Sequence, residues 1–529
     1  MAVIGKDFRL GLVGKVVARP NEELERTLAE LQLAEFIYEQ PTAGDMEYTF
    51  KHQLTHEVAY NSVLVERRKS LHERVALAIE ELAANSLDDH LTDLAHHYSH
   101  SGNRMKAVDY LTRAGTQIAQ RSTFPDAMQH FGRALDIVKD MPVGRSRDLR
   151  ELDLQMVVGT TALAYQGEGS ADAGKALARA VELADAPQDT LQKAYALTFL
   201  GYHLVGRGEQ RRASEVSRDL YEHVRGMQNP GFESQANLLI GYVALGMGEF
   251  RKAEKFLGAA ADVAALAHVR IPGHALVCRG NALWHLGFPD QSLALAREAV
   301  MLGGDPTNPA DRYAYTTVLL WAAVTHRLCG ELAQAEDLFR RSFNLCTERG
   351  FPSVRAFDAV AMGLVSALRG QVQAGLEQLR QGVELLAASS APFKQPPHEE
   401  RYYLAWGYEL AGKPQEALAT LTPAFEWTEQ SGAEFELASM HLLKGRLLER
   451  MSNSNEAENS FRTSIEIARR QSAKSPELQA TTSLARLLAK QGRRDEGRAM
   501  LAEIYNWFTE GFDTADLKEA KALVHELSA

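Results

Sequence analysis

Gly241-Tyr-Val-Ala-Leu-Gly-Met-Gly248, followed by Ala253, Leu257 and Ala260, decides the fold. Counted from Gly241, small residues stand at offsets 0, 12 and 19, an apolar residue at 16 and a glycine at 7. Offsets 12, 16 and 19 share one face of a helix, and their small side chains let a second helix approach the first closely. The glycine at offset 7 ends the first helix. The stretch predicts one helical hairpin.

The same template fits Ala323, Gly330, Ala335, Phe339 and Ser342; Gly363, Gly370, Gly375, Leu379 and Gly382; and Ala405, Gly412, Ala417, Leu421 and Ala424. It also fits Gly445, Ala457, Phe461 and Ser464, and Ala485, Gly492, Gly497 and Leu501. With Gly201 and Gly280 the anchors fall at 201, 241, 280, 323, 363, 405, 445 and 485, a spacing of 39 to 43. Weaker copies at Ala95, Gly115 and Thr161 start the array near residue 88. The pattern resembles the tetratricopeptide repeat, whose usual period is shorter, about 34 residues. Hairpins of this kind cannot bury their apolar faces alone, so they stack into a superhelix with a concave binding surface. Asp516–Leu527, an amphipathic stretch with Leu517, Ala520, Ala522, Leu523 and Leu527, reads as the terminal cap.

The first seventy residues differ. Helical stretches at Phe8–Val17 and Asn21–Leu33 precede two short apolar runs, Glu35–Gln40 and Glu47–Phe50, joined by the turn-rich Pro41-Thr-Ala-Gly-Asp45. Helices followed by a β-hairpin predict a winged helix. His52–Leu64 and Arg67–Leu82 then read as amphipathic connecting helices. The chain is expected to be mainly α, a tetratricopeptide-like α-solenoid superhelix preceded by a small winged-helix module. Its expected divisions are 1–70 for that module, 71–140 for connecting helices and irregular first hairpins, and 141–529 for the solenoid with its C-terminal capping helix.

The 529 residues exceed what one core organises, which agrees with an array. The 58 Lys and Arg against 69 Asp and Glu give a net charge of −11, a poor basis for gripping a phosphate backbone. The three cysteines, Cys278, Cys329 and Cys346, form no CxxC pair and suit a reducing cytoplasm. No apolar run reaches the roughly 20 residues of a membrane span. The expected location is therefore cytoplasmic, with no membrane partner.

Catalytic motifs are missing from the sequence. Gly11-Leu-Val-Gly14-Lys15 lacks the spacing and the Ser or Thr of a phosphate-binding loop, and His56-Glu57 has no second histidine four residues on. His96 and His100 stand at i and i+4, a spacing that presents two imidazoles to a metal, but no carboxylate or cysteine at matching spacing completes a set. They read as a helix end favoured by its dipole; neither a metal nor a cofactor is expected. Lys51 and His52 enter a helix N-terminus, where an ammonium or imidazole beside free N–H groups can meet a phosphate; the alternative is that His52 caps or packs locally. Tyr242, Trp284, Trp321, Tyr402 and Trp406 fall on first helices of hairpins. Aromatics there either anchor a protein or peptide partner or fill the packing between repeats.

Tyr48-Thr-Phe-Lys-His52 with Gln53, Leu54, Glu57 and Ala59 resembles the winged-helix signature of signal-transduction ATPases with numerous domains, in which a histidine touches the β-phosphate of bound ADP. His52 matches that histidine, and Gln53 stands where the family has an acidic residue. Over essentially the whole chain, Ala2–Phe8, Tyr48–His52, Glu57–Tyr60, Arg67-Arg68, Leu71-His72-Glu73 and Trp507–Thr514 with Asp516–Lys521 resemble the C-terminal part of bacterial class III adenylate/guanylate cyclases that carry an ATPase module and tetratricopeptide repeats. The resemblance implies a non-catalytic regulatory scaffold working with an ATPase or cyclase domain in cis or in trans. The alternative is the sensor part of a LuxR-type ATP-dependent transcription regulator. DNA contact is disfavoured, because Asn21–Leu33 carries Glu22, Glu23, Glu25 and Glu30 against Arg26, and residues 1–70 hold 9 basic and 11 acidic side chains.

Overall fold

The computed structural model describes residues 1–17, 19–40, 46–120, 124–167, 169–185, 190–266, 273–303, 312–389 and 398–528. They divide into two compact units, Met1–Val158 and Gly159–Ala529, with the division inside the helix Arg145–Gln166. The solenoid is expected from the sequence over 141–529. The turn expected at Pro41–Asp45 lies outside the described residues.

In the first unit a three-stranded antiparallel sheet, β1 (Asp7–Arg9), β3 (Glu47–Phe50) and β2 (Ile37–Gln40) in that order, meets helices α1 (Leu10–Val17) and α2 (Asn21–Leu33). Phe8, expected in a helix, lies in β1 opposite Tyr48, its ring 5.9 Å from the tyrosine's. A three-residue strand is too short to show alternation in sequence, but the bare edge of β3 needs a hydrogen-bonding partner. Phe8, Val13, Leu24, Leu28, Ile37, Tyr48 and Phe50 form the core. Helix α3 (Gln53–Asn61) follows, and α4 (Val65–Leu82) begins two residues before the expected Arg67. α5 (Leu91–Ser99), α6 (Arg104–Gln120) and α7 (Phe124–Lys139) then stack in series.

The second unit is a tetratricopeptide-like α-solenoid. Its eight anchors fall on eight first helices: α10 (Thr190–Gly206), α12 (Pro230–Gly246), α14 (Gly273–Leu286), α16 (Arg312–Leu328), α18 (Pro352–Leu368), α20 (His398–Leu410), α22 (Leu437–Arg450) and α24 (Lys474–Lys490). Each is followed by an antiparallel second helix, and α26 (Ala515–Ser528) closes the array. Offset 7 from every anchor has a left-handed backbone: Gly208, Gly248, Gly287, Gly330, Gly370, Gly412 and Gly492, with Ser452 at φ 62° as the one non-glycine. The sharp reversal requires that conformation, which glycine reaches without a steric cost.

The superhelix winds tightly enough for successive turns to touch. Ser475 on α24 donates to the carbonyl of Trp284 on α14 at 2.6 Å, across 191 residues of chain. The backbone N–H groups of Glu434 and Phe435 donate to the carbonyl of Gly246 at 2.9 and 3.1 Å. Gly287 leaves room for Trp507, whose ring would lie 2.5 Å from a Cβ there. First helices from α14 to α24 thus close into a ring.

Candidate functional site

Inside that ring is a cavity of about 380 Å³. Its wall takes Trp284 from α14, Arg327 from α16, Tyr402 and Trp406 from α20, Arg446 from α22, Gln479 and Arg486 from α24, and Asp516 and Glu519 from the closing helix α26. In the last three repeats the residue directly after the small anchor turns toward the cavity. Trp406, Arg446 and Arg486 each follow an anchor directly, Ala405, Gly445 and Ala485.

Arg327 is the centre of the polar wall, buried to 6% exposure in a helix that is otherwise largely apolar. Its guanidinium lies over the Tyr403 ring at 4.9 Å and near Trp406 at 6.0 Å, and its Nη2 donates to the Tyr403 hydroxyl at 3.0 Å. Burial disfavours its charge, but Tyr403, Glu436 and Tyr402 more than offset this and hold the guanidinium firmly protonated. Its Nε has no hydrogen-bond partner among the described residues. Glu436, 3% exposed, is pushed above the usual carboxylate range by burial, against the pull of Arg327. Arg446 also packs over the Trp406 ring, at 5.9 Å, while its Nε donates to Glu409 at 3.0 Å. Asp516 accepts from Gln479 at 2.7 Å, and burial pushes its carboxyl up to about 6. Arg486 pairs with Glu519 at 2.5 Å. The cavity therefore gathers indole, phenol and guanidinium groups on one wall, a combination suited to an apolar or aromatic group next to an anion.

Three of the five aromatics singled out in the sequence, Trp284, Tyr402 and Trp406, line this one cavity. Tyr242 and Trp321 stand outside it, 6.4 Å apart edge to face, Tyr242 also 5.0 Å from His274 and Trp321 6.3 Å from Phe435. The polar partners Arg327, Glu436, Arg446, Arg486 and Asp516 were missed by sequence reasoning. The repeat register carried the signal for two of them, since Arg446 and Arg486 repeat the position of Trp406.

In the first unit Lys51 and His52 lie where β3 leads into α3. His52 is the N-cap residue, extended and exposed, and its side chain makes no capping bond. Lys51 pairs with Glu35 at 2.5 Å, and that hydrogen bond, with the ammonium's charge, holds the Glu35 carboxyl below its usual range. The outer face of α2 presents Glu22, Glu25 and Glu30 to solvent. No helix among the described residues is long and apolar enough to cross a membrane.

Comparison with known proteins agrees with the architecture. The family profile described as tetratricopeptide repeat matches residues 438–471, the α22 hairpin. An uncharacterized protein of Rhizobium meliloti (strain 1021) is 24% identical over 465 residues, 85% of this chain; the chain spans only 44% of that relative's length. Among solved structures, a Rap protein complexed with Competence and Sporulation Factor is similar at a TM-score of 0.50 and 12% identity, covering 69% of this chain and 98% of the Rap chain. A signal transduction ATPase with numerous domains that has a tetratricopeptide repeat sensor, from Pyrococcus horikoshii, matches at a TM-score of 0.34 and 13% identity, over 74% of this chain and 62% of its own.

Proposed function

We propose that the chain is a non-catalytic sensor scaffold that takes a peptide or protein segment into the cavity of its solenoid. The observation that carries this reading is the ring of first helices, which converges Trp284, Tyr402, Trp406 and the buried Arg327 on one partly open cavity. An aromatic or aliphatic side chain of the ligand packs against Trp406, and a carboxylate of the ligand pairs with the guanidinium of Arg327. The Rap protein of the same fold, complexed with Competence and Sporulation Factor, accords with a ligand-binding solenoid. In the same proposal residues 1–70 are a winged helix, with Lys51 and His52 aimed at the phosphates of a nucleotide held by an ATPase domain, in cis or in trans, of the kind found in adenylate cyclases with tetratricopeptide repeats. Ligand binding in the solenoid then biases that domain by binding one of its states more tightly.

A random peptide library displayed on phage and panned on the immobilised chain tests the cavity. The expected result is enrichment of sequences combining an aromatic residue with Asp or Glu, whose binding weakens by about tenfold or more in Trp406→Ala. Enriched peptides that bind Trp406→Ala as tightly as the parent chain defeat the proposal.

A further inference from the structure

The first unit holds a cluster of imidazoles that the solenoid reading leaves unused. His72 on α4 and His97 on α5 are both buried, and their Nδ1 atoms face each other at 3.0 Å. His96, the neighbour of His97, completes a triad in which one nitrogen from each ring lies within 4.8 Å of the others. The ring of His100 stacks beside the triad, 5.1 Å from His72 and 4.4 Å from His96.

Two Nδ1 atoms at hydrogen-bond distance require one proton between them, because two bare lone pairs repel. The outer nitrogen of His72 is already engaged, its Nε2 3.0 Å from the Tyr60 hydroxyl, and the backbone of Ile4 interacts with His97. This is the arrangement of metal-binding histidines, in which the far ring nitrogen is tied to a hydroxyl or carbonyl and the near one is free to coordinate. Burial also keeps the rings neutral, with repulsion between them adding to it, and coordination requires neutral imidazole.

We propose that His72, His96 and His97 form a binding site for a borderline divalent transition ion, Zn2+ or a close relative, which fastens α4 to α5. The ion takes the place of the shared proton. The proton on His72 moves from Nδ1 to Nε2, where the Tyr60 oxygen accepts it, so the two buried rings bind the ion without net proton release. An all-imidazole set selects zinc, copper or nickel over calcium and magnesium, which want oxygen ligands. His96 is exposed, so the fourth position opens to solvent. The expectation from sequence takes in only the i, i+4 pair His96 and His100 and so lacks His72, which reaches the site from another helix.

The test is a titration of the full, tag-free, chelator-stripped chain with Co2+ alone, read by the visible ligand-field bands of the bound ion, with Zn2+ added afterwards as competitor. One equivalent should bind with four-coordinate bands that Zn2+ abolishes. His96→Gln, at an exposed position that leaves the fold intact by circular dichroism, should weaken binding about a hundredfold, and Tyr60→Phe about tenfold. His130→Gln, a partly buried histidine on α7 outside the cluster, should bind as the parent chain does. Absence of the bands, a stoichiometry well below one, or unchanged affinity in His96→Gln overturns the proposal.

Discussion

Ser452 shows how much a single backbone angle contributes in this chain. It occupies the helix-ending position that glycine fills in the seven other anchored repeats, with φ 62°. A non-glycine residue there bears about 1–2 kcal/mol of steric cost, and glycine returns about 0.5–1 kcal/mol of that through the extra freedom of the unfolded chain. Ser452→Gly should therefore stabilise the solenoid by about 0.5–1 kcal/mol, seen as a higher urea midpoint; a lower midpoint would show that the serine makes a compensating contact. Asp516 acts through its charge. Its folded pKa of about 6 lies above the ordinary carboxylate value, so its contribution to stability is complete below the unfolded pKa and lost as pH rises through 6. Asp516→Asn keeps an oxygen for Gln479 and removes the buried charge. Melting temperatures should show the variant above the parent at pH 8, with the gap closing toward pH 4, and a gap independent of pH would contradict this. Residues of this sort are the least legible in sequence. Arg327 and Asp516 are ordinary charged residues until the fold buries them, whereas Arg446 and Arg486 are marked by their place after an anchor.

Hairpin elements were legible because one constraint, close helix approach, writes small residues at fixed offsets. The constraint is tightest between α18 and α19 (Val372–Ser389). A Cβ on Gly363 would lie 2.7 Å from the backbone nitrogen of Leu379 and 2.9 Å from the carbonyl oxygen of Gly375, and one on Gly375 would lie 2.5 Å from the backbone of Ala367. At Gly445 the nearest atoms belong to the Phe461 ring, a side chain. Main chain cannot rotate away as a ring can, so Gly363→Ala should separate the two helices and cost at least the 1–3 kcal/mol typical of overpacking. A thermal melt of Gly363→Ala coinciding with the parent's would refute the close packing. The short β1 strand was not legible, since three residues carry no period, and Phe8 was therefore read as helix. The ends of α3 and α4 shifted by two or three residues for a related reason: Ser62, Val63 and Leu64 form the bend between them, and nothing in their composition separates a bend from a helix.

At the scale of the solenoid, the period of about 40 residues predicts stacking but not how far each repeat rotates against the last, and that rotation decides whether an open groove or a closed ring results. The contacts that fix it join residues far apart in sequence and use turn positions with no repeating signature. Glu510 is the clearest of them. Its carboxylate accepts from the backbone N–H groups of Asp290 and Gln291 at 2.9 and 3.1 Å and from the Gln291 side chain at 2.9 Å, while Asp290 accepts from the N–H of Gly511 at 3.0 Å. Asp290 and Gln291 open helix α15 (Pro289–Leu302), so a glutamate 220 residues away in the chain caps that helix and closes the ring around the cavity. Loss of a capping carboxylate costs about 0.5–2 kcal/mol locally. Glu510 does not line the cavity, so Glu510→Ala leaves every cavity side chain in place and weakens only the closure that holds α26, with Asp516 and Glu519, against the ring. The amides of Asp290 and Gln291 should then exchange with deuterium faster than in the parent chain, and peptides selected on the parent should bind several-fold more weakly, mainly through faster dissociation. Unchanged exchange at those two amides would show that the ring is held without this cap. Faster exchange with unchanged peptide binding would show instead that the ligand does not depend on ring closure.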